Sequence, residues 1–376
     1  MSARPPEGAQ AGATGSTEPD GAEVVASWAL AGRLERPPLL VVEAVEAYLR
    51  RAGFGDGALA WERIGEGHSN VTYAIAYAGH DLVLRRGPRP PHPPSTHDMA
   101  REGRVQRVLA AAGVPVPAIV AECDDPAVLG VPFYVMERID GDVVTDAVPR
   151  ALDDAAGRRG IAFAAVDALA DLHAVPVDTG EIATLGRPDG YLARQVGRFA
   201  ALWEVNSRRT FPAVADLATW LADRMPQTQR AAVVHGDFRI GNLMYAPGAP
   251  ARVAAILDWE MATLGDPLAD LGYFTATYAR PGSAPTPLEL TTVTRLDGFP
   301  ETAELVERYA ARHPLDLSAL PWYETLALFK AAVFCEALYT RWLDGQRPGD
   351  AFGPTLEEGV PRLLEAAQER AVALGS

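Results

Sequence analysis

Lysine is almost missing from this chain. Of 34 basic residues in 376, one is a lysine, Lys330, and the rest are arginines. A GC-rich, codon-biased genome explains that skew without a functional cause. Cysteine is nearly as scarce. Cys123 and Cys335 stand far apart, which excludes a disulfide framework and any C-x-x-C metal pattern. No run approaches the ~18 uninterrupted apolar residues of a membrane helix. The first ten residues are polar and lack the apolar stretch of a signal peptide. A soluble cytoplasmic protein with no membrane partner is therefore expected. Positive charge is also short. With 34 basic against 49 acidic residues the formal charge is −15, whereas nucleic-acid binding needs a basic footprint. An acidic surface serves solubility first, and would also suit a cationic ligand.

What is present is enough for two domains or one large two-lobed one. Residues 1–22, rich in Ala, Gly, Pro, Ser and Glu, read as a disordered tail. Apolar positions at 41, 42, 45, 48 and 49 predict a helix within 39–51. Strands are expected at 59–64, 71–77 and 82–86, joined by a tight loop at 65–70 and a turn at 78–81, as an antiparallel meander. Five prolines in 87–97 make a loop. Asp98 can cap a helix running to about residue 112, and an apolar, aromatic strand follows at 132–139. Asp140-Gly141 marks a turn and a lobe boundary. Beyond it helices dominate, at 153–173, 212–225, 267–278, 301–312, 322–343 and 355–374. Short strands fall near 231–234, 242–245 and 252–257. The division is thus an N-terminal lobe, 23–139, and a C-terminal lobe, 140–376: an α+β chain with a small antiparallel sheet in the first lobe, a larger helical second lobe, and a cleft expected at the boundary.

The chemistry concentrates in Val233-Val-His-Gly-Asp-Phe-Arg-Ile-Gly-Asn-Leu-Met-Tyr245 and Ala255-Ile-Leu-Asp-Trp-Glu260. Asp237 follows an apolar strand, Asn242 lies five residues on, and Asp258 follows a second apolar strand. Each alone would be a turn or strand-end residue. Together they form the layout of a phosphoryl-transfer site, in which positioning outweighs strong base catalysis. Asp237 aligns or accepts the proton of an attacking hydroxyl. Asn242 and Asp258 offer the hard oxygen ligands that Mg2+ takes alongside nucleotide phosphates. His235 reads as structural, holding Asp237 in place. Asp266 before Pro267 reads as a helix N-cap with proline at the first helical position, and Asp270 as a tether beneath the loop. No G-x-x-x-x-G-K-[ST] motif exists, so this is not a Walker site. Gly65-Glu-Gly-His-Ser-Asn70 is on its own a hairpin turn. Beside a kinase-like site it becomes an expected flap over the phosphates, with Gly65 and Gly67 for close approach and Ser69 and Asn70 as donors.

These blocks, with Gly265-Asp-Pro-Leu-Ala-Asp-Leu-Gly272, Leu169-Ala-Asp-Leu-His173 and Gly186-Arg-Pro-Asp-Gly-Tyr-Leu-Ala-Arg-Gln195, closely resemble the aminoglycoside phosphotransferase and choline kinase-like superfamily. The finer likeness is to its phosphotransferase enzyme group, which includes the kinase-like domain fused to some acyl-CoA dehydrogenases. It spans about residues 40–345. The resemblance implies a two-lobed protein-kinase-like fold, ATP or GTP as co-substrate with Mg2+, and a small-molecule hydroxyl acceptor. It also implies a hinge at 133–141, with Met136 behind the base and the backbone of Glu137 and Ile139 on the purine edge. A basic residue on the third strand should pair with a helix glutamate. Glu102 fits the acid, and Arg85 takes the basic place in lieu of lysine, a substitution that changes the geometry. Strand alternation sends Arg85 and Arg86 to opposite faces, and Arg86 is expected to be solvated.

The expected activity is transfer of the γ-phosphate of ATP or GTP to a hydroxyl of an aminoglycoside-like molecule, a hydroxy acid or a hydroxyacyl-CoA. An aminoglycoside would need carboxylates such as Glu204, Glu324 and Glu336 in the helical lobe. The rival is an inactive kinase fold serving as a nucleotide-binding or scaffold protein, which would typically have lost one of Asp237, Asn242 and Asp258. Protein kinase activity is disfavoured by the short interval from Asp258 to Gly265-Asp-Pro267, which leaves no activation segment.

Overall fold

The structure, a computed structural model, describes residues 17–18, 21–65, 70–90, 97–347 and 349–373. The chain divides into two compact units, Met1–Ile139 and Asp140–Ser376. Within the span read as a tail, Thr17–Glu18 and Gly21–Ala22 pair as two short antiparallel strands. The rest of that span lies outside the described residues.

The first unit is built on a five-stranded antiparallel sheet. Helix α1 (Val42–Arg51) precedes strands β1 (Ala60–Ile64), β2 (Val71–Tyr77) and β3 (His80–Arg86). Helix α2 (Met99–Ala111), β4 (Ile119–Cys123) and β5 (Phe133–Glu137) follow. The strand order is β1-β2-β3-β5-β4. The β2–β3 turn needs only Ala78 and Gly79, with φ of 47° and 83°, the left-handed pair that two-residue hairpins favour. Strand β3 therefore starts at His80, two residues earlier than the sequence indicates. Asp98 caps α2 by accepting the amide N–H of Arg101 at 3.0 Å. Strand β4 has no counterpart in the sequence reading. It is short, stands at the sheet edge against β5 and carries a register shift, so its alternation is weak.

Alternation across this sheet sorts its two faces. Tyr73, Leu84 and Val135 lie in register and are fully buried in one apolar core with Leu40, Val45 and Leu49. Arg86 falls on that same face, opposite Val71 and Phe133. It is not solvated, as its place at the strand end suggests, but 1% exposed. Its guanidinium donates to the carbonyls of Leu39 (2.6 Å), Leu129 (3.3 Å) and Gly87 (2.8 Å). Burial pushes its pKa down to about 10. Arginine tolerates this place because its fork of donors satisfies several carbonyls at once.

The second unit starts with β6 (Asp142–Val143) and the helices α3 (Ala155–Ala174), α4 (Tyr191–Asn206) and α5 (Pro212–Asp223). Strands β7 (Ala232–Val234), β8 (Leu243–Tyr245), β9 (Val253–Ile256) and β10 (Thr263–Gly265) come next. Helices α6 (Leu268–Thr277), α7 (Thr302–Arg312), α8 (Leu320–Leu343) and α9 (Leu356–Ala373) complete it. The strands form two small antiparallel sheets, β6-β8-β9 and β7-β10. Helix α4 is absent from the sequence reading, although Leu192, Val196, Phe199 and Trp203 recur at helical spacing and are buried. Helices α6 and α8 meet closely: a Cβ on Gly272 would lie 2.5 Å from that of Tyr323. The N-cap of α6 is Pro267 rather than Asp266. Asp266 sits one residue earlier, accepting the Leu268 N–H at 3.0 Å and the Tyr323 hydroxyl at 2.8 Å. Among the described residues no helix is long and apolar enough to cross a membrane.

Candidate functional site

The loop after β7 is held from below by one carboxylate. Asp270, fully buried on the first turn of α6, accepts the backbone N–H of His235 at 2.6 Å and of Gly236 at 2.8 Å. Burial alone would raise its pKa. The hydrogen bond and charge of His173, at 3.4 Å, together with His235 and the Gly236 amide, outweigh that and hold it below the ordinary carboxylate value. Gly236 has φ +87°, and a Cβ there would meet the Met261 carbonyl oxygen at 3.0 Å, so the bend after His235 requires glycine.

His235 itself is fully committed. Its Nδ1 accepts the Asp237 backbone N–H at 3.2 Å, which places the ring proton on Nε2, where it is donated to the Leu257 carbonyl at 2.9 Å. No nitrogen lone pair is left for proton transfer. The ring packs at 4.6 Å against Trp259, whose indole is completely buried. His235 thus links the Asp237 loop to the end of β9.

Asn242 and Asp258 are brought together by sheet register. Leu243 pairs with Ile256, and the Leu257 N–H donates to the Asn242 carbonyl at 2.9 Å, so Asp258 is the next residue along. Asp258 has φ +67°, a left-handed conformation that short polar side chains tolerate at a cost of order 1 kcal/mol. The Asn242 amide points its Nδ2 at Asp237, 2.8 Å from both the backbone carbonyl and Oδ2. Its Oδ1, the atom able to bind a metal, accepts no hydrogen bond among the described residues. An oxygen-seeking cation fits such a pair of neutral and anionic oxygens, provided other ligands complete its shell.

Three further groups surround Asp237 and were not singled out in the sequence. The Tyr273 hydroxyl, from α6, donates to Asp237 Oδ1 at 2.5 Å. Arg239 Nε lies 3.7 Å from the same oxygen. Lys330, the chain's single lysine, stands over the Phe199 ring at 5.0 Å and lines a cavity of about 10 Å3 with Tyr191, Gly236, Asp270, Tyr273 and Tyr323. Burial pushes its pKa down to about 8 against the opposing pull of Asp270 and Asp237. Burial, then the charge of Asp237, raise the Tyr273 pKa far above its usual value, so the phenol remains a donor. Arg239 belongs to the same loop as Asp237, whereas Tyr273 on α6 and Lys330 on α8 carry no local motif and are assembled there only by the packed helices.

In the first unit the sheet face opposite the apolar core carries Arg85, in register with Tyr134. Arg85 Nε lies 3.0 Å from Glu102 Oε1. Glu102, 1% exposed, also accepts the Tyr134 hydroxyl at 3.0 Å, and Gln106 donates to that hydroxyl at 2.9 Å. Asn70, expected as a phosphate donor, is buried. Its Nδ2 approaches Glu102 Oε2 at 3.4 Å and its Oδ1 lies 2.9 Å from His97 Nδ1. Gly65 has φ +75°; Gly67 and Ser69 lie outside the described residues. Met136 is paired with Val83 on the Arg85 face. The Glu137 N–H donates to the Ala118 carbonyl at 2.9 Å, so any purine contact from Glu137 falls to its own carbonyl. Ile139 ends the first unit.

Comparison with known proteins converges on one family. The family model described as "Phosphotransferase enzyme family" matches residues 60–312. Acyl-CoA dehydrogenase family member 10 of Mus musculus is 34% identical over 313 residues, covering 81% of this chain and 29% of that protein. The chain thus spans less than a third of that relative's length. A solved structure of a putative aminoglycoside phosphotransferase from Ralstonia eutropha superposes with a TM-score of 0.71 at 29% identity, covering 88% of this chain and 98% of that one. The aminoglycoside phosphotransferase APH(4)-Ia, solved as a thermostable mutant with AMP-PNP and hygromycin B, superposes with a TM-score of 0.53 at 17% identity, covering 88% and 97%, and shares the fold. The fold is the two-lobed, kinase-like α+β fold, and the chain belongs to the phosphotransferase enzyme family.

Proposed function

We propose that this chain transfers the γ-phosphate of ATP or GTP, bound with Mg2+, to a hydroxyl of a small molecule. The observation that carries this reading is the contact of Asp237 with Asn242, one residue-pair away in register from Asp258. In it Asp237 receives the proton of the acceptor hydroxyl, as a positioned carboxylate on a loop fixed by His235 and Asp270. Asn242 Oδ1 and the Asp258 carboxylate would hold Mg2+, which when bound neutralises charge on the phosphates. The N-terminal lobe, 23–139, takes the nucleotide role: Arg85, anchored by Glu102, contacts phosphate, and Met136, Glu137 and Ile139 meet the base. The APH(4)-Ia structure with AMP-PNP supports a nucleoside triphosphate as donor.

For the acceptor, a hydroxy acid or hydroxyacyl-CoA fits better than a polycation. Of the three carboxylates named for an aminoglycoside, Glu204 is exposed and the other two are engaged. Glu336 accepts from Ser207 at 2.9 Å and pairs with Arg209, and Glu324 pairs with Arg370 at 3.3 Å. Near Asp237 the extra charges are Arg239 and Lys330. The acyl-CoA dehydrogenase relative points the same way. A mass-shift screen of hydroxy acids, hydroxyacyl-CoAs and aminoglycosides with ATP and GTP tests this. A phosphorylated product (a gain of one phosphoryl group) that disappears in Asp237→Asn is expected. Phosphorylation that persists in both Asp237→Ala and Asp258→Ala would refute it.

A further inference from the structure

Both side-chain oxygens of Asp237 accept hydrogen bonds, one of them from a hydroxyl. Its Oδ2 is engaged by Asn242 Nδ2 at 2.8 Å, and its Oδ1 by the Tyr273 hydroxyl at 2.5 Å. The side chain is 23% exposed, so solvent reaches it. A carboxylate in that position, on a site that holds a nucleoside triphosphate, faces a standing hazard. Water is a hydroxyl too, and an aligned water would attack the γ-phosphorus in place of the acceptor.

Resting on the phosphotransferase reading above, we infer that Tyr273 is a positioning residue that occupies the acceptor-hydroxyl place on Asp237 Oδ1 and so suppresses hydrolysis of the nucleotide until an acceptor displaces it. The Tyr273 hydroxyl takes up Oδ1, the Asp237 oxygen that the Asn242 amide leaves uncovered. Hydrogen bonds to an ionised acceptor are roughly twice as strong as neutral ones, and water would have to break or share this one with nothing to offset the loss. An acceptor brings further contacts, and binding by its non-reacting parts can drive the exchange. The phenol remains protonated under all ordinary conditions because of its burial and the neighbouring Asp237 charge, so it acts as a permanent donor and never as a competing base or nucleophile.

The placement is held by packing. Gly272, the preceding residue, lies against Tyr323 and Glu324 of α8, which fixes the α6 backbone. Tyr273 lines the cavity of about 10 Å3 together with Lys330, Tyr191 and Tyr323. That volume is about the room of one water, and it gives the phenol space to shift when an acceptor arrives. The guarded step is balanced as follows. A water oxygen bonds to the γ-phosphorus, and the bond from that phosphorus to the bridging β-phosphate oxygen breaks. The nucleoside diphosphate leaves, and one water proton passes through Asp237 to solvent.

The test needs no knowledge of the acceptor. Release of inorganic phosphate from ATP with Mg2+ is followed for the wild type, Tyr273→Phe and the double variant Tyr273→Phe/Asp237→Asn, with magnesium–ATP binding measured by calorimetry on each. Tyr273→Phe should raise acceptor-independent hydrolysis about tenfold, the lower end of what one hydrogen bond to a charged group is worth. The double variant should return it to the wild-type level. A merely structural tyrosine would lower every activity and raise none. Hydrolysis by Tyr273→Phe equal to or below wild type, with nucleotide binding intact, overturns the inference and leaves the phosphotransferase reading standing. Absence of nucleotide binding by the wild type overturns both. Should Tyr273→Phe fail to fold, Tyr273→Met, which also lacks the hydroxyl, gives the same readout.

Discussion

Asp270 shows how much one buried side chain can decide. It satisfies two backbone amides that would otherwise be orphaned in the interior, and it faces His173, whose other nitrogen lies 2.7 Å from the Tyr309 hydroxyl. Asp270→Ala leaves all three donors unpaired. A loss of about 3–5 kcal/mol is expected, read as a lower midpoint in denaturant-induced unfolding. Asp237→Asn should behave in the opposite way. Its fold and magnesium–nucleotide affinity are retained to within a few-fold, while turnover falls roughly 10²–10⁴-fold, as expected for loss of a positioned general base. Comparison of kcat with the nucleotide binding constant checks this. His235→Ala lies between the two: both of its nitrogens hold loop atoms, so it should slow turnover by displacing Asp237 and should destabilise through the gap left beside Trp259.

At the scale of elements, the close approach of α6 and α8 carries the site. Tyr273 and Asp270 come from α6, and Lys330 from α8. Gly272→Ala would place a methyl 2.5 Å from the Tyr323 Cβ and 2.7 Å from its carbonyl carbon. Backbone cannot yield cheaply there, so a cost of about 2–4 kcal/mol is expected, together with reduced turnover. Thermal melting and activity of the one variant measure both effects. The register of β8 on β9 does the same for Asn242 and Asp258. Most of these elements were legible in the sequence. Apolar runs ended by turn residues gave β2, β5, β7, β8 and β9, and helical spacing gave α3 and α5 through α9 to within a few residues. Helix α4 carried an equally clear periodicity at Leu192, Val196, Phe199 and Trp203. Strand β4 did not, being a short edge strand. Asp237, Asn242 and Asp258 could be read because their spacing is local to two loops. Tyr273 and Lys330 could not, because what distinguishes them is the neighbour that packing brings from 36 residues or more away. Arg86 went astray for a related reason. Its sequence position, next to a turn, says nothing of the segment at Leu39 that covers it.

For the molecule as a whole, two charged groups make stability rise with pH, Asp270 in the acid range and Lys330 in the alkaline range. Asp270 has a folded pKa below its unfolded value. The stability it contributes is full above the unfolded value and disappears as pH falls through the folded one, because the unfolded chain binds the proton first. Melting temperature should therefore fall steeply below about pH 4, and less steeply in Asp270→Asn. Lys330 has a folded pKa of about 8, below its unfolded 10.5. Between those values the unfolded chain again binds more protons, so the contribution of this group to stability rises with pH. Lys330→Met should remove that alkaline rise and stabilise the protein by about 1–3 kcal/mol near neutrality. Melting curves from pH 3 to 10 on the three proteins test both.

The central claim, that the segment from Val233 to Glu260 is a phosphoryl-transfer site, is tested most directly by calorimetric titration of ATP. The titration is done with and without Mg2+, on the wild type and on Asp258→Ala. Magnesium-dependent binding by the wild type, weakened at least tenfold in Asp258→Ala, is the predicted result. A wild type that binds no nucleotide, or binds it equally well without Mg2+ and with Asp258 removed, would contradict the claim.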